Sequence, residues 1–321
     1  MQPFIEAWLG EKRPKQYCVF TGTRSMIGHT VDRARALVST DHVVTVIGRG
    51  HRDWVPAPVR DTGITIEQPR SRGTAAGLFL PLAHILARDP KATVMLLPSD
   101  HYVFPEERFV AYIERACEVA VCHPEHIVLL GAVADRPEQE YGWIRTEESA
   151  ATVRLGRRCT FPFKVTEFRE KPSAAEATRL YRENCLWSTM VGAVKAQTLW
   201  ELGHRHLPEM VARFDGYLNI LRAVQDGRLD AGTERVALEE LYCEISTADF
   251  SMDILQKSTE QTLVLPMHGV DWCDWGQPHR IQHTLARTGR RPAFPPVYCE
   301  DAMMNHDIMQ PTLQPMYGYA Q

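Results

Sequence analysis

Thr93-Val94-Met95-Leu96-Leu97-Pro98-Ser99-Asp100-His101 is a short apolar run, stopped by a proline and followed at once by an aspartate. An unbroken apolar run of this length suits a strand buried on both faces. Residues just past the carboxyl end of such a strand line the ligand crevice of an open α/β sheet. An aspartate there can set its oxygens on a divalent cation that also holds a phosphate. The same position suits an aspartate capping the next helix, so position alone leaves both readings open for Asp100.

The pattern repeats on either side. Residues 43–47 form an apolar run closed by Gly48-Arg49-Gly50, and 63–67 are another candidate strand, ending at Gln68-Pro69. Residues 73–88 carry Leu78, Leu82, Ile85 and Leu86 on one helical face. Downstream, 104–122 has the helical period again and 126–131 reads as the next strand. This alternation predicts a mixed, mostly parallel sheet with helices on both faces. Past residue 140, strands are expected at 141–145, 163–168 and 186–194, and helices at 174–183, 196–206 and 209–226. No linker interrupts this half, so residues 1–289 read as one domain. Residues 290–321 read as a loosely docked tail, rich in proline and methionine without periodicity.

The composition, 24% charged and 44% hydrophobic over 321 residues, excludes a disordered, collagen-like or coiled-coil chain. Thirty-six Lys+Arg against 40 Asp+Glu leave a formal charge of −4, with no basic footprint for nucleic acid. No apolar run reaches membrane-spanning length, and Met1-Gln2-Pro3-Phe4 does not begin a signal peptide. The eight cysteines include no Cys-x-x-Cys pair and read as buried thiols of a cytoplasmic protein.

Other segments could carry chemistry. Trp272-Cys273-Asp274-Trp275-Gly276 supplies a second aspartate. Alone it suits a helix cap, but with a distant partner two carboxylates can clamp one Mg²⁺ that bridges nucleotide phosphates. Residues 165–172 run from a strand into Arg169-Glu170-Lys171-Pro172, where a lysine can neutralise phosphate and a glutamate can accept from sugar hydroxyls, or both can face solvent. Arg72, Gly73 and Thr74 sit at a strand-to-helix junction whose free amides favour anions. Gly142 lies within a strand, where close approach of a ligand or a bulge accounts for a glycine. His204 and His206, at i and i+2, share no helical face and make no metal site.

Taken in order, these segments resemble the sugar-1-phosphate nucleotidyltransferases, closest to the bacterial mannose-1-phosphate guanylyltransferase type. The stretches that carry the resemblance begin with Pro14-Lys15-Gln16-Tyr17, Arg24-Ser25-Met26 with Thr30 and Arg33, residues 68–75 and residues 97–101. They continue through Glu140-Tyr141-Gly142-Trp143-Ile144, residues 168–172, Trp187-Ser188-Thr189, Asp249-Phe250-Ser251 and residues 272–276. The resemblance implies a Rossmann-like nucleotidyltransferase fold and a Mg²⁺-dependent in-line reaction. In it a sugar 1-phosphate, mannose 1-phosphate, attacks an NTP, GTP, to give an NDP-sugar and pyrophosphate for polysaccharide synthesis. It assigns Asp100 and Asp274 to the metal and Lys15 to phosphate. Lys171 goes to the sugar phosphate, and Gly142, Glu170, Ser188, His101 and the 72–74 segment to substrate. A homodimer is left open.

The family pattern opens with a strand and a glycine-rich loop bearing a catalytic arginine, ahead of Pro-Lys. Here the 13 residues before Pro14 hold one glycine, Gly10, and do not match. Residues 4–9 are an ambiguous stand-in for that strand. The sheet is therefore expected to lack its first strand, and the site several backbone donors, each worth about 10²–10³ in rate. The alternative is a catalytically inactive nucleotide- or sugar-phosphate-binding homologue. Ser188 and Gly73 stand where the family usually has asparagine. A glycosyltransferase could use the same aspartates, but Pro14-Lys15-Gln16 and Glu170-Lys171-Pro172 argue against it.

Overall fold

A computed structural model describes residues 1–147 and 162–295. Helices α1 (Gln2–Leu9) and α2 (Met26–Arg35) lead into β1 (Val44–Gly48), α3 (Ala57–Arg60), β2 (Ile64–Gln68) and α4 (Gly73–Arg88). Next come β3 (Thr93–Leu96), β4 (Tyr102–Phe104), α5 (Glu106–Cys122), β5 (Ile127–Val133), β6 (Gly142–Thr146) and β7 (Phe163–Glu170). The chain continues through α6 (Ala174–Arg182), β8 (Leu186–Lys195), α7 (Ala196–His206), α8 (Pro208–Gln225) and α9 (Ala231–Glu244). It ends with α10 (Phe250–Asp253), β9 (Thr262–Met267), β10 (Asp271–Cys273) and α11 (Pro278–Thr288).

The central sheet has the order β3-β8-β5-β9-β7-β6. Its strands alternate faces, as the two-residue period requires. Ile127 and Leu129 of β5 join a core under α4, α7 and α8, while Val128 and Leu130 join the core under α5 and α6. Continuous apolar runs are thus consumed on both sides, and the layered α/β expectation holds. The parallel part of that expectation is corrected. Strands β3, β5, β9 and β6 run one way, but β8 and β7 run the other way between them. Within this sheet the β5–β9 pair is parallel, and every other neighbouring pair is antiparallel.

β1 and β2 pair parallel in a separate two-stranded sheet. Residues 4–9 do not stand in for a central strand. They lie in α1, which ends at Gly10 in the left-handed conformation (φ 73°). Its apolar face decides this: Ile5 is fully buried, and Phe4 and Trp8 pack on Phe20 and Phe294. Phe294 also corrects the start of the expected tail. Pro292 bridges Thr21, Ala293 N–H donates to the Phe20 carbonyl at 2.9 Å, and Phe294 is buried. The rest of that tail, 296–321, lies outside the described residues, as do Cys159 and Cys299. The remaining cysteines are free thiols; Cys18, Cys185 and Cys273 are buried as expected, but Cys122 and Cys243 are exposed.

Candidate functional site

The third pairing is the one that builds the site. β4 and β10 are antiparallel, with Tyr102 opposite Cys273. Asp100 and His101 enter that pair where Asp274 leaves it, so two aspartates 174 positions apart emerge from one end. Lys15, in a single turn after Pro14, joins them: Nζ lies 2.9 Å from Asp100 Oδ2 and also donates to the Asp274 main-chain carbonyl. Its ammonium offsets the repulsion that two neighbouring carboxylates would otherwise suffer.

Asp274 is held firmly. Its Oδ1 accepts from Tyr141 Oη at 2.9 Å, Gly276 N–H at 2.9 Å and Arg280 Nη1 at 3.0 Å. Burial alone would raise this carboxyl, but Arg280, Gly276, Lys15 and Tyr141 outweigh it and hold it below the usual carboxylate range. None of these bonds falls on Oδ2. The backbone beside it is fixed by Trp275, which adopts φ 50° and stacks on Tyr102 at 4.4 Å.

Arg280 is 4% exposed and also pairs with Glu138 at 2.9 Å and Glu140 at 2.5 Å, with its guanidinium 4.8 Å above the Tyr141 ring. His101 stands behind Asp100. Trp272 Nε1 donates to its Nδ1 at 3.3 Å, and burial pushes the imidazole below its ordinary pKa against the pull of Asp100. Its carbonyl accepts from the buried Arg33.

A second group lies along the β6–β7–β8 edge. Gly142 faces Glu170 across the ladder, and a Cβ at Gly142 would sit 2.7 Å from Glu170 Oε2 and 3.2 Å from Ser188 Cβ. The glycine is required there to let these side chains converge. Burial raises the Glu170 carboxyl and Asp249 adds to this, against the pull of Lys171 and a Ser251 hydrogen bond. Lys171 is exposed, has φ 44°, and donates its N–H to the Tyr141 carbonyl at 3.2 Å. Tyr141 therefore ties the two groups together, its hydroxyl on Asp274 and its carbonyl on Lys171.

The 72–74 segment is used differently from what its composition suggests. The Arg72 guanidinium is spent on the Tyr242 and Cys243 carbonyls near the end of α9, at 3.0 and 3.4 Å. Gly73 (φ 82°) makes room for its own chain, since a Cβ would lie 2.1 Å from the Ala248 carbonyl. Thr74 Oγ1 accepts from Phe250 N–H at 2.8 Å and donates to Asp249 at 3.2 Å. Two residues of the site had no visible role in the sequence. Tyr141 was part of a quoted motif without a function, and Arg280 lay six residues beyond Asp274 in an ordinary helical pattern. An arginine on the face of α11 that carries Ile281 and Leu285 was the available signal.

As a cation site, the carboxylates of Asp100 and Asp274 fit Mg²⁺, which takes hard oxygens and is usually held by one or two carboxylates plus substrate phosphate. The Asp274 Oδ2 that its protein partners leave over is the appropriate donor. The family model described as nucleotidyl transferase matches residues 9–291.

The chain belongs to the nucleotidyl transferase family. It is 26% identical over 269 residues to a mannose-1-phosphate guanylyltransferase of Salmonella montevideo, covering 82% of this chain and 53% of that protein. It is 24% identical over 274 residues to the alginate biosynthesis protein AlgA of Pseudomonas syringae, covering 82% and 52%. The chain thus spans about half the length of these curated relatives. A solved structure from Thermus thermophilus, described as a mannose-1-phosphate geranyltransferase, superposes with a TM-score of 0.70 at 26% identity, covering 85% of this chain and 73% of that one. Among the described residues, no helix is long and apolar enough to cross a membrane.

Proposed function

We propose that this protein joins a sugar 1-phosphate, mannose 1-phosphate, to GTP, releasing pyrophosphate and an NDP-sugar for polysaccharide synthesis in the cytoplasm. The observation that carries the reading is Lys15 spanning Asp100 and the Asp274 backbone, next to the Gly142–Glu170–Ser188 recess. A phosphate oxygen of the sugar phosphate forms a bond to the α-phosphorus of the NTP, and the α–β bridge breaks. Little covalent work falls to the protein, so positioning and charge neutralisation dominate.

Mg²⁺, held by Asp100 and Asp274, would neutralise phosphate charge. Lys15 places a cation where nucleotide phosphates meet those carboxylates, and Lys171 does so for the sugar phosphate. Glu170 accepts from sugar hydroxyls; Gly142 and Ser188 leave room for the ring. Tyr141 and Arg280 touch no reacting atom and keep Asp274 aimed. The mannosyl and guanyl assignments are supported by the names of the relatives.

A second reading, binding of nucleotide or sugar phosphate without turnover, is favoured by one observation. Residues 2–9 form a helix packed on Phe20 and Phe294, and not a strand. Mass-spectrometric detection of NDP-sugar from a panel of the four NTPs and several hexose 1-phosphates separates the readings. GDP-mannose as the major product supports the first. Nucleotide binding by calorimetry without any NDP-sugar supports the second.

A further inference from the structure

The turn that leads from α5 into β5 reads His123-Pro124-Glu125-His126. Its backbone is pinned at three points. His123 N–H donates to the Val119 carbonyl at 2.8 Å and ends the helix. His126 N–H donates back to the His123 carbonyl at 3.0 Å, which closes the turn, and Thr198 Oγ1 of α7 donates to the Pro124 carbonyl at 2.5 Å. Pro124 cannot continue the helix, so the side chains around it gather on one turn. One imidazole nitrogen from each histidine and one Glu125 carboxylate oxygen lie within 4.8 Å of one another. Among the described residues no other three His, Cys, Asp or Glu groups converge in this way.

A second observation favours an ion over a merely solvated turn. His126 is 19% exposed, and its Nδ1 is buried and makes no hydrogen bond, although Glu125 Oε1 stands 3.0 Å away. A buried ring nitrogen left unpaired calls for a partner, and an ion supplies one. The two atoms lie side by side without hydrogen-bond alignment, as two ligands of one ion do. A tetrahedral ion with bonds of about 2.1 Å holds its ligands about 3.4 Å apart. The 3.0 Å pair is close to that spacing, and His123 and Glu125 are exposed, so rotation of their side chains closes the rest. Two imidazoles and one carboxylate suit Zn²⁺ with water in the fourth position, whereas Mg²⁺ prefers oxygens alone.

We propose that His123, Glu125 and His126 bind one Zn²⁺ ion, with its fourth position open to solvent. The ion ties the end of α5 to the start of β5. This place is remote from the carboxylates assigned to Mg²⁺. β3 and β5 run the same way, and the turn lies where β5 starts while Asp100 lies past the end of β3. The seven residues of β5, at about 3.3 Å each, set these two ends of the sheet about 20 Å apart. Zinc binding therefore does not depend on the nucleotidyltransferase reading, and the different donor atoms keep the two metals apart.

Calorimetric titration of the 321-residue chain with ZnCl₂, in millimolar Mg²⁺ and a thiol-free reductant, tests this. The wild-type chain should take up zinc with a Kd in the micromolar range. Glu125→Gln should weaken binding at least about tenfold, and His123→Ala combined with His126→Ala should abolish it. His123→Ala alone, at an exposed position, keeps the claim refutable if the double variant does not fold, and it too should weaken binding at least about tenfold. Circular dichroism checks each fold. Cys122→Ser, at the exposed neighbouring thiol, should bind as the wild type does. The proposal is overturned by a wild-type Kd weaker than about 100 μM or by unchanged zinc uptake in the histidine variants. Loss of binding in Cys122→Ser also overturns it, since the zinc would then belong to a thiol. Because zinc uptake and not turnover is read, failure here is separate from failure of the nucleotidyltransferase reading.

Discussion

Replacing Arg280 by methionine keeps an unbranched apolar stem and removes the guanidinium, leaving Asp274 and Glu138 as neighbouring carboxylates without their shared cation. Arg280 is 4% exposed and Glu138 13%, while Asp274 is 25% exposed. Removing one partner of a buried pair costs about 3–5 kcal/mol. The exposure of Asp274 and the nearby Lys15 ammonium place this case at the low end, about 3 kcal/mol. At about 2–4 °C per kcal/mol for a large domain, Tm should fall by roughly 6–12 °C. Thermal unfolding at neutral pH, followed by circular dichroism, measures it. Asp274→Asn keeps the acceptor oxygen but loses the charge that Arg280 and Lys15 favour. It should therefore cost less than Arg280→Met, which also takes a cation from Glu138. Combined with Arg280→Met it should show a coupling of about 1–3 kcal/mol. A fall under about 2 °C for Arg280→Met, or strict additivity in the double variant, would refute the clamp.

Glu170→Gln should raise KM for the sugar phosphate roughly 10- to 100-fold through loss of a charged acceptor. Because burial raises the Glu170 carboxyl, its ionised form weighs against the fold as pH rises through the folded value, so the variant should not lower Tm at neutral pH; a clear drop in Tm contradicts this. Gly142→Ala puts a methyl 2.7 Å from Glu170 Oε2; sugar-phosphate affinity should fall more than nucleotide affinity, and calorimetry with each ligand checks it. Burial pushes His84 down from 6.5 to about 4, with Nε2 3.1 Å from Tyr217 Oη. The folded ring stays neutral while the unfolded one takes up a proton, so stability is full above pH 6.5 and falls as pH drops towards 4. The loss is about 3 kcal/mol, and urea titrations should show most of it removed in His84→Gln; an unchanged pH slope excludes His84 as its source.

How far the sequence revealed this protein follows from the length of its signals. Residues 73–88 had a full helical period and became α4 with those bounds. The run before Pro98 became β3 with Asp100 just beyond its end. The pairing that brings Asp100 to Asp274 was invisible, because β4 and β10 have three residues each and no period can be read from three. The direction of β8 was hidden for another reason: an apolar run buried on both faces reads the same parallel or antiparallel. Residues 4–9 could be strand or helix until Phe20 and Phe294 supplied a surface, and tertiary packing decided the matter. Arg72 stood at a junction read as favouring anions. The carbonyls that occupy it come from α9, which no local pattern connects to it.

The most direct test of the central claim is pyrophosphate release from GTP, mannose 1-phosphate and Mg²⁺ by this chain, with Asp100→Asn as the blank. The carboxylate pair predicts release by the wild-type chain well above a blank that keeps the same fold. Equal release by both proteins, or none from a folded wild-type chain, would contradict it.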